Sequence, residues 1–171
     1  MGQKKASDIH TTALRLLSRR ALSVAELASR LRERGFSEKE VSCELRRLER
    51  AGLLADLELA RILVRRRLES GHGRLAAAAT LRQRQVEAPA MERALRELDQ
   101  EIEEKAVKKA LEKALNRYAD IPASQLRGKV VRYLTSRGFP LALCLQATAN
   151  LGGEIEDVDQ LGESEDTEDF S

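Results

Sequence analysis

Apolar residues recur at intervals of three and four along most of the chain, the spacing that places them on one face of an α-helix. The first three stripes consist of Ala13, Leu16 and Leu17; then Val24, Leu27, Ala28 and Leu31; then Val41, Leu45 and Leu48. This pattern predicts three helices before Gly52.

Two of these helices have a start signal in the sequence. Ser23 is followed three residues later by Glu26, and Ser37 is followed three residues later by Glu40. In such a capping box the hydroxyl and the carboxylate bind backbone N–H groups that the first helical turn leaves unpaired. Helices are therefore predicted to begin near residues 24 and 38.

The segment 37–54, SEKEVSCELRRLERAGLL, is typical of the recognition helix of a winged-helix protein. A winged helix would continue with alternating strand residues, but the chain continues ADLELARILVRRRLES. Here Asp56 is the expected N-cap of another helix. Its apolar face is predicted to contain Leu57, Ala60, Leu63, Val64 and Leu68. The pattern therefore predicts a helix in place of the wing.

The same arrangement of helix, turn and helix occurs three times. LRERGFSEKEV (31–41), LRQRQVEAPAM (81–91) and LTSRGFPLALC (134–144) each turn at one apolar residue, and these residues, Phe36, Val86 and Phe139, are 50 and 53 positions apart. A period of this length is typical of a tandem array. We predict nine helices in three units, at 11–55, 56–99 and 100–151. Residues 1–10 are expected to form a flexible N-terminus and 152–171 a disordered acidic tail.

Composition supports an all-α fold. Hydrophobic residues make up 42% of the chain but aromatic residues only 3%, and most of the apolar residues are Leu and Ala. Leu and Ala favour helices, whereas sheets are enriched in β-branched and aromatic residues. We therefore expect an all-α tandem array of three three-helix units, helix-turn-helix-like but without a wing.

Charge is divided unevenly along the chain. The net charge is +2, but residues 152–171 contain nine carboxylates and no Lys or Arg. Removing those nine from the 28 acidic residues leaves 19 against 30 basic residues, so 1–151 carry a net +11. A basic body attracts phosphates and acidic surfaces. The tail either folds back on this body and competes with nucleic acid, or only increases solubility.

Several functional classes lack support in the sequence. Apolar runs are only a few residues long, so no membrane span or secretory signal is predicted. Cys43 and Cys144 are expected to be small core residues rather than a disulfide, which favours the cytoplasm. His10 and His72 have no neighbours at metal-ligand spacing. With no recognisable catalytic or nucleotide-binding arrangement, we expect neither enzymatic activity nor a cofactor.

Residues 52–73, GLLADLELARILVRRRLESGHG, resemble the central signature of the RecX family. The resemblance covers about residues 11–151. The residues that match the family pattern are Gly52, Leu53, Leu54, Asp56, Ala60, Val64, Arg67 and the turn Gly71, His72 and Gly73. The departures are Glu58, Leu59 and Leu63 in the helix, Arg74, Ala76 and Ala77 after the turn, and Gln85 in place of a turn glycine.

The resemblance implies a function. RecX proteins are bacterial regulators of the RecA recombinase, active in DNA repair, the SOS response and homologous recombination. They bind in the groove of the RecA–DNA filament and restrain its growth and its recombinase, ATPase and co-protease activities. The resemblance therefore implies a monomeric, elongated and curved modulator, with inhibition as the expected effect. The RecA filament is its expected partner, and single- or double-stranded DNA is a further possible ligand.

Fourteen basic residues are candidates for contact with that partner or with nucleic acid, because they are predicted to lie on outward helix faces. The alternative is a solvated surface whose arginines pair in part with Glu58 and Glu69. The candidates are Arg46, Arg47, Arg50, Arg61, Arg65, Arg66, Arg67, Arg74, Arg82, Arg84, Arg127, Lys129, Arg132 and Arg137.

Two other functions compete with the RecX interpretation. A sequence-specific transcriptional regulator would insert the helix at 38–51 into the major groove, and would need a dimer and a palindromic site. A scaffold would bind other proteins through its helical surface, which would leave the basic body unexplained. A pull-down without RecA that recovers a different complex would favour the scaffold.

Overall fold

The computed structural model describes residues 8–152. Within this range it contains nine α-helices and no strand, which confirms the predicted all-α fold. The acidic tail, apart from Gly152, lies outside the described residues. The helices are α1 (Ile9–Leu17), α2 (Val24–Arg32), α3 (Glu38–Arg50), α4 (Asp56–Glu69), α5 (Arg74–Gln83), α6 (Ala88–Arg96), α7 (Gln100–Arg117), α8 (Ala123–Ser136) and α9 (Leu141–Ala147).

Side-chain caps define the starts of the first three helices. Both predicted capping boxes are present, at Ser23 for α2 and at Ser37 for α3. Asp8 caps α1 by accepting a hydrogen bond from a backbone N–H in the first turn. Ile9 and His10, assigned to the N-terminal segment from sequence, therefore belong to a helix.

The internal repeat is visible in the backbone hydrogen bonds. After α2, α5 and α8 the chain turns through a residue with positive φ: Gly35 (87°), Gln85 (51°) and Gly138 (80°). The following apolar residue then donates its N–H to a carbonyl five positions earlier, which closes the helix end in a Schellman turn. These bonds run from Phe36 to Leu31 (3.4 Å), from Val86 to Leu81 (3.0 Å) and from Phe139 to Leu134 (3.2 Å).

The described residues form two compact units. The first comprises 8–63 and 80–96, and its core lies between α1, α2 and α3, which pack against one another. Ala13, Leu27, Leu31, Val41 and Leu48 are completely buried there. These are the stripes that the spacing of apolar residues predicted.

The second unit comprises 64–79 and 97–152. In it α7, α8 and α9 pack against one another around Ala114, Val130, Val131, Leu134 and Phe139. The predicted boundaries of three separate units stay a prediction, because α4 begins in the first compact unit and ends in the second.

Asp56 does not cap its own helix. The helix α4 begins at Asp56 itself, and the N–H of Leu59 donates to the carbonyl of Ala55, so Ala55 is the N-cap. The buried carboxylate of Asp56 instead accepts the N–H of Val24 at 2.8 Å and that of Glu87 at 2.9 Å. The predicted N-cap is therefore wrong, because the carboxylate connects the starts of two other helices.

The two cysteines differ in environment. Cys144 is completely buried in the second unit, and this burial raises the pKa of its thiol to about 12. Cys43 is exposed on α3. The prediction that both are core residues is therefore wrong for Cys43, which lies outside the apolar stripe of its helix. Neither forms a disulfide.

Candidate partner-binding surface

The fourteen predicted contact residues fall into two groups by exposure. Six are half-buried: Arg61, Arg67, Arg74, Arg84, Arg127 and Arg137. Eight are exposed: Arg46, Arg47, Arg50, Arg65, Arg66, Arg82, Lys129 and Arg132.

Arg84 is held within the first unit by the start of α2. Its Nε donates to Glu26 Oε1 at 2.8 Å, and its Nη2 donates to the carbonyl oxygen of Ala21 at 2.7 Å. Arg20 donates to the same carboxylate at 3.1 Å. Burial raises the pKa of Glu26, but hydrogen bonds from Arg84, the Ser23 N–H and Arg20 outweigh it, so this pKa is lowered. The guanidinium of Arg84 therefore stabilises the fold.

Arg137 is held in the second unit by the Gly-His-Gly turn. Its Nη1 lies 3.3 Å from His72 Nε2, and its guanidinium carbon lies 5.0 Å from the centre of the Tyr133 ring. A guanidinium can only donate, so Nε2 accepts and the imidazole proton resides on Nδ1. The Nδ1–H group then donates to Ser70 Oγ, and the two heavy atoms lie 3.0 Å apart. His72 therefore orients Arg137 as a neutral imidazole.

The charges around His72 favour this neutral form. Burial lowers its pKa, and the positive charges of Arg137, Arg67 and Lys113 lower it further. These cations come from α4, α7 and the end of α8. The turn therefore lies in a region of positive potential within the second unit.

Three other half-buried candidates have different surroundings. Arg61 pairs with Glu58 one turn earlier in α4, as the solvated-surface alternative predicts. Arg74 Nε lies 3.9 Å from Glu103 Oε1. The Nε atom of Arg127 is buried without a hydrogen-bond partner among the described residues. Arg61 and Arg74 are therefore partly neutralised by carboxylates of the same unit, whereas Arg127 has no such ion pair among the described residues.

The outer face of α4 combines an exposed apolar residue with two exposed cations. Ile62 is 54% exposed, and Arg65 and Arg66 follow it by three and four positions, so the three side chains are neighbours on the helix. Neither arginine forms an ion pair with a described residue. Protein interfaces are enriched in arginine and bury apolar side chains. This trio, the α4 outer face, is the strongest candidate contact surface.

The outer face of α3 is also basic. The Nε atoms of Arg46 and Arg50 each donate at 3.2 Å to a carbonyl oxygen one turn earlier in the same helix. Arg47 lies 4.0 Å from the buried Glu44, whose other neighbour is His10 at 2.6 Å. The α3 arginines thus lie along the helix and remain accessible to an anion.

Sequence reasoning missed two exposed features of the protein. One is Ile62, an apolar residue outside the buried stripe of α4. The other is α7, where Lys105, Lys109 and Lys113 recur every four residues. Lys105 pairs with Glu101 at 2.6 Å, and Lys109 donates to the carbonyl oxygen of Glu69 at 2.5 Å. The four-residue spacing of these lysines was the available signal.

The chemistry of these surfaces is that of binding. Exposed guanidinium and ammonium groups suit carboxylates and phosphates. Between residues 8 and 152, no group of three or more His, Cys, Asp or Glu side chains could hold a metal ion. No helix in the same range is long and apolar enough to cross a membrane.

Solved structures with the same fold include RecX from Lactobacillus salivarius. The TM-score to this crystal structure is 0.74, with 21% identity over 82% of this chain and 94% of that one. A second crystal structure, described as regulatory protein RecX, has a TM-score of 0.70 and 24% identity over 81% of this chain and 68% of that one. Both similarities show the fold.

Sequence comparison extends this similarity to the family. The family model for the first three-helix domain of RecX matches residues 10–48. Regulatory protein RecX of Mycobacterium sp. (strain KMS) is 35% identical over 158 residues, which cover 89% of this chain and 86% of the relative. Its counterpart from Pseudomonas putida (strain GB-1) is 34% identical over 133 residues, 78% of this chain and 84% of the relative. The chain therefore belongs to the RecX family of regulatory proteins.

Proposed function

We propose that this protein binds the RecA–DNA filament as a cytoplasmic monomer and inhibits its growth and its recombinase, ATPase and co-protease activities. Its membership of the RecX family supports a regulatory role, because the relatives that it matches over most of their length are named regulatory proteins rather than enzymes. The observation that supports a specific binding surface is the exposure of Ile62, Arg65 and Arg66 together on the α4 outer face.

The α4 outer face has the properties of a protein-binding surface. Burying Ile62 against a partner removes apolar area from water. Arg65 and Arg66 have no ion pair among the described residues, so pairing with carboxylates of a partner breaks no intramolecular ion pair there. Guanidinium groups bind carboxylates through two parallel hydrogen bonds. We expect the matching site on RecA to carry carboxylates and to recur on each subunit of the filament.

The other exposed cations suit the DNA within the filament. Arg46 and Arg50 on α3, and Lys129 and Arg132 on α8, are accessible to phosphates. Phosphate contacts carry little sequence preference and weaken steeply with salt. We therefore assign these four residues to backbone phosphates and the α4 outer face to RecA.

The test follows ATP hydrolysis by RecA on single-stranded DNA while the protein is added. Inhibition is expected at protein concentrations well below that of RecA. The double variant R65A/R66A should require at least about thirty-fold more protein for half inhibition, because one central arginine contributes about 2 kcal/mol or more at an interface and about 1.4 kcal/mol corresponds to ten-fold. The matched control is R15A/R19A, which removes two exposed arginines elsewhere and should inhibit like the parent protein.

Three results separate the alternatives. Equal inhibition by R65A/R66A and the parent protein would contradict the assignment of the α4 outer face. No inhibition at any ratio would contradict the function itself. Tight binding to one defined duplex, combined with no effect on RecA, would favour a transcriptional regulator. Circular dichroism of each variant establishes that it is folded.

A further inference from the structure

The outer face of α8 carries unpaired positive charge. Lys129 and Arg132 are exposed and three positions apart, so they are neighbours on the helix, and neither has an ion-pair partner within residues 8–152. The opposite face is buried through Val130, Val131 and Leu134. The helix contains no Asp or Glu, so nothing on it offsets these charges. We call Lys129 and Arg132 the α8 basic pair.

The described chain ends beside the start of this helix. A Cβ atom placed on Gly152 would lie 3.8 Å from the Cβ of Ala123, the first residue of α8. Residues that follow Gly152 therefore begin at the N-terminal end of α8. No side chain caps this helix and its first turn contains no acidic residue, so its N–H groups also favour a nearby carboxylate.

The α8 basic pair lies within reach of the segment that follows Gly152. At about 1.5 Å per residue, Lys129 lies about 9 Å and Arg132 about 14 Å beyond Ala123 along the axis. Ala123 lies on the same face of α8 as the buried Val130, so the segment must also pass around a helix about 10 Å wide. An extended chain spans about 3.3 Å per residue, so the segment after Gly152 is long enough for this path.

We propose that the acidic segment 153–171 binds the α8 basic pair within the same molecule and competes there with phosphate groups. The segment contains nine carboxylates and no basic residue. Its attachment at Gly152 holds these carboxylates at an effective concentration in the millimolar range, so weak ion pairs suffice. Because both cations are exposed, the contact weakens as salt increases.

Carbodiimide coupling of the purified full chain tests this contact without RecA or DNA. The reagent joins lysine amines to carboxylates that they contact, and mass spectrometry identifies the joined residues. At low salt we expect coupling of the acidic segment to Lys129 to exceed coupling to Lys39 and Lys108 several-fold. Both comparison lysines are exposed on other helices. At 0.5 M salt the excess should disappear, because the Debye length is then only about 4 Å.

Two variants test the contact at Lys129, and isotope labels test whether it forms within one molecule. R132Q should reduce coupling at Lys129, whereas R50Q, which removes one exposed charge from α3, should leave it unchanged. Equal coupling at all three lysines would overturn the proposal, as would an excess that persists in high salt. In a mixture of labelled and unlabelled chains, products that join two different chains would overturn binding within one molecule. None of these outcomes bears on RecA inhibition, which is measured separately.

Discussion

The backbones of Gly73 and Gly138 are in direct contact. A Cβ atom on Gly73 would lie 2.3 Å from the carbonyl oxygen of Gly138, and a Cβ on Gly138 would lie 2.4 Å from the amide nitrogen of Ala76. Two hydrogen bonds join the same turns, from the Gly73 N–H to the carbonyl of Arg137 (2.9 Å) and from the Leu75 N–H to that of Gly138 (3.0 Å). The Gly-His-Gly turn is thus a packing requirement of the second unit.

Substitution of Gly73 tests this contact. G73A should lower the free energy of unfolding by about 2 kcal/mol or more, because the new methyl group meets backbone atoms that cannot rotate away. In the control G35A, the methyl group meets no atom within 4 Å but the residue has a φ of +87°. The cost there is about 1 kcal/mol of backbone strain. Equal losses in urea denaturation would contradict the steric explanation.

Gln85 occupies a position that favours glycine. Its φ of 51° corresponds to those of Gly35 and Gly138 in the equivalent turns. Q85G should therefore raise the free energy of unfolding by about 1 kcal/mol, by relieving left-handed strain. A79G, at an exposed position inside α5, should lower it by about 1 kcal/mol because glycine weakens the interior of a helix. Thermal unfolding followed by circular dichroism measures both, and a destabilised Q85G would refute the prediction.

Removal of the Asp56 carboxylate should destabilise the first unit. D56A leaves the N–H groups of Val24 and Glu87 without their side-chain acceptor, and each such loss costs about 1 to 3 kcal/mol. The control is D99A at the exposed start of α7, where one cap is lost for about 1 kcal/mol. Urea titration measures the free energy of unfolding of both variants. A smaller loss for D56A than for D99A would show that water replaces the carboxylate.

The ion pair between Arg84 and Glu26 makes stability depend on pH. Folding lowers the pKa of Glu26, so the ion pair contributes to the free energy of unfolding at pH values above the unfolded pKa of about 4.3. This contribution is lost as the pH falls through the folded pKa. R84Q should cost about 2 kcal/mol at pH 7. The difference in the free energy of unfolding between R84Q and the parent protein should decrease toward pH 3.

A matched variant distinguishes this half-buried pair from an exposed pair. R32Q breaks the pair of Arg32 with Glu38, in which both side chains are largely exposed. Its effect on stability at pH 7 should be much smaller than that of R84Q, since exposed pairs gain little over hydration. Equal effects in urea titrations at pH 7 would contradict the role assigned to Arg84.

Thiol alkylation should distinguish the two cysteines. With a pKa of about 12, only about one part in ten thousand of Cys144 is thiolate at pH 8, and its side chain is buried. Iodoacetamide should therefore modify Cys43 in the folded protein and modify both cysteines in urea. Mass spectrometry of the peptides measures this. Rapid modification of native Cys144 would show that α9 opens readily.

Much of the fold could be predicted because its signals are local. The capping boxes at Ser23 and Ser37 act within three residues, and apolar spacing marks the buried stripes wherever a helix packs on one side. The exposure of Arg65 and Arg66 follows from the same periodicity. Whether Arg84 and Arg137 remain available to a partner could not be predicted, since each is held by side chains far away in sequence.

The sequence by itself determined the helices, the starts of α2 and α3 and the threefold repeat of the turns, because hydrogen bonds and apolar spacing within a few residues specify them. Only the tertiary structure decided that Glu26 holds Arg84, 58 residues away, and that Asp56 joins the starts of α2 and α6. Long polar side chains can reach many partners. The packing of the helices brings certain helix ends together, and this determines which partner each side chain binds.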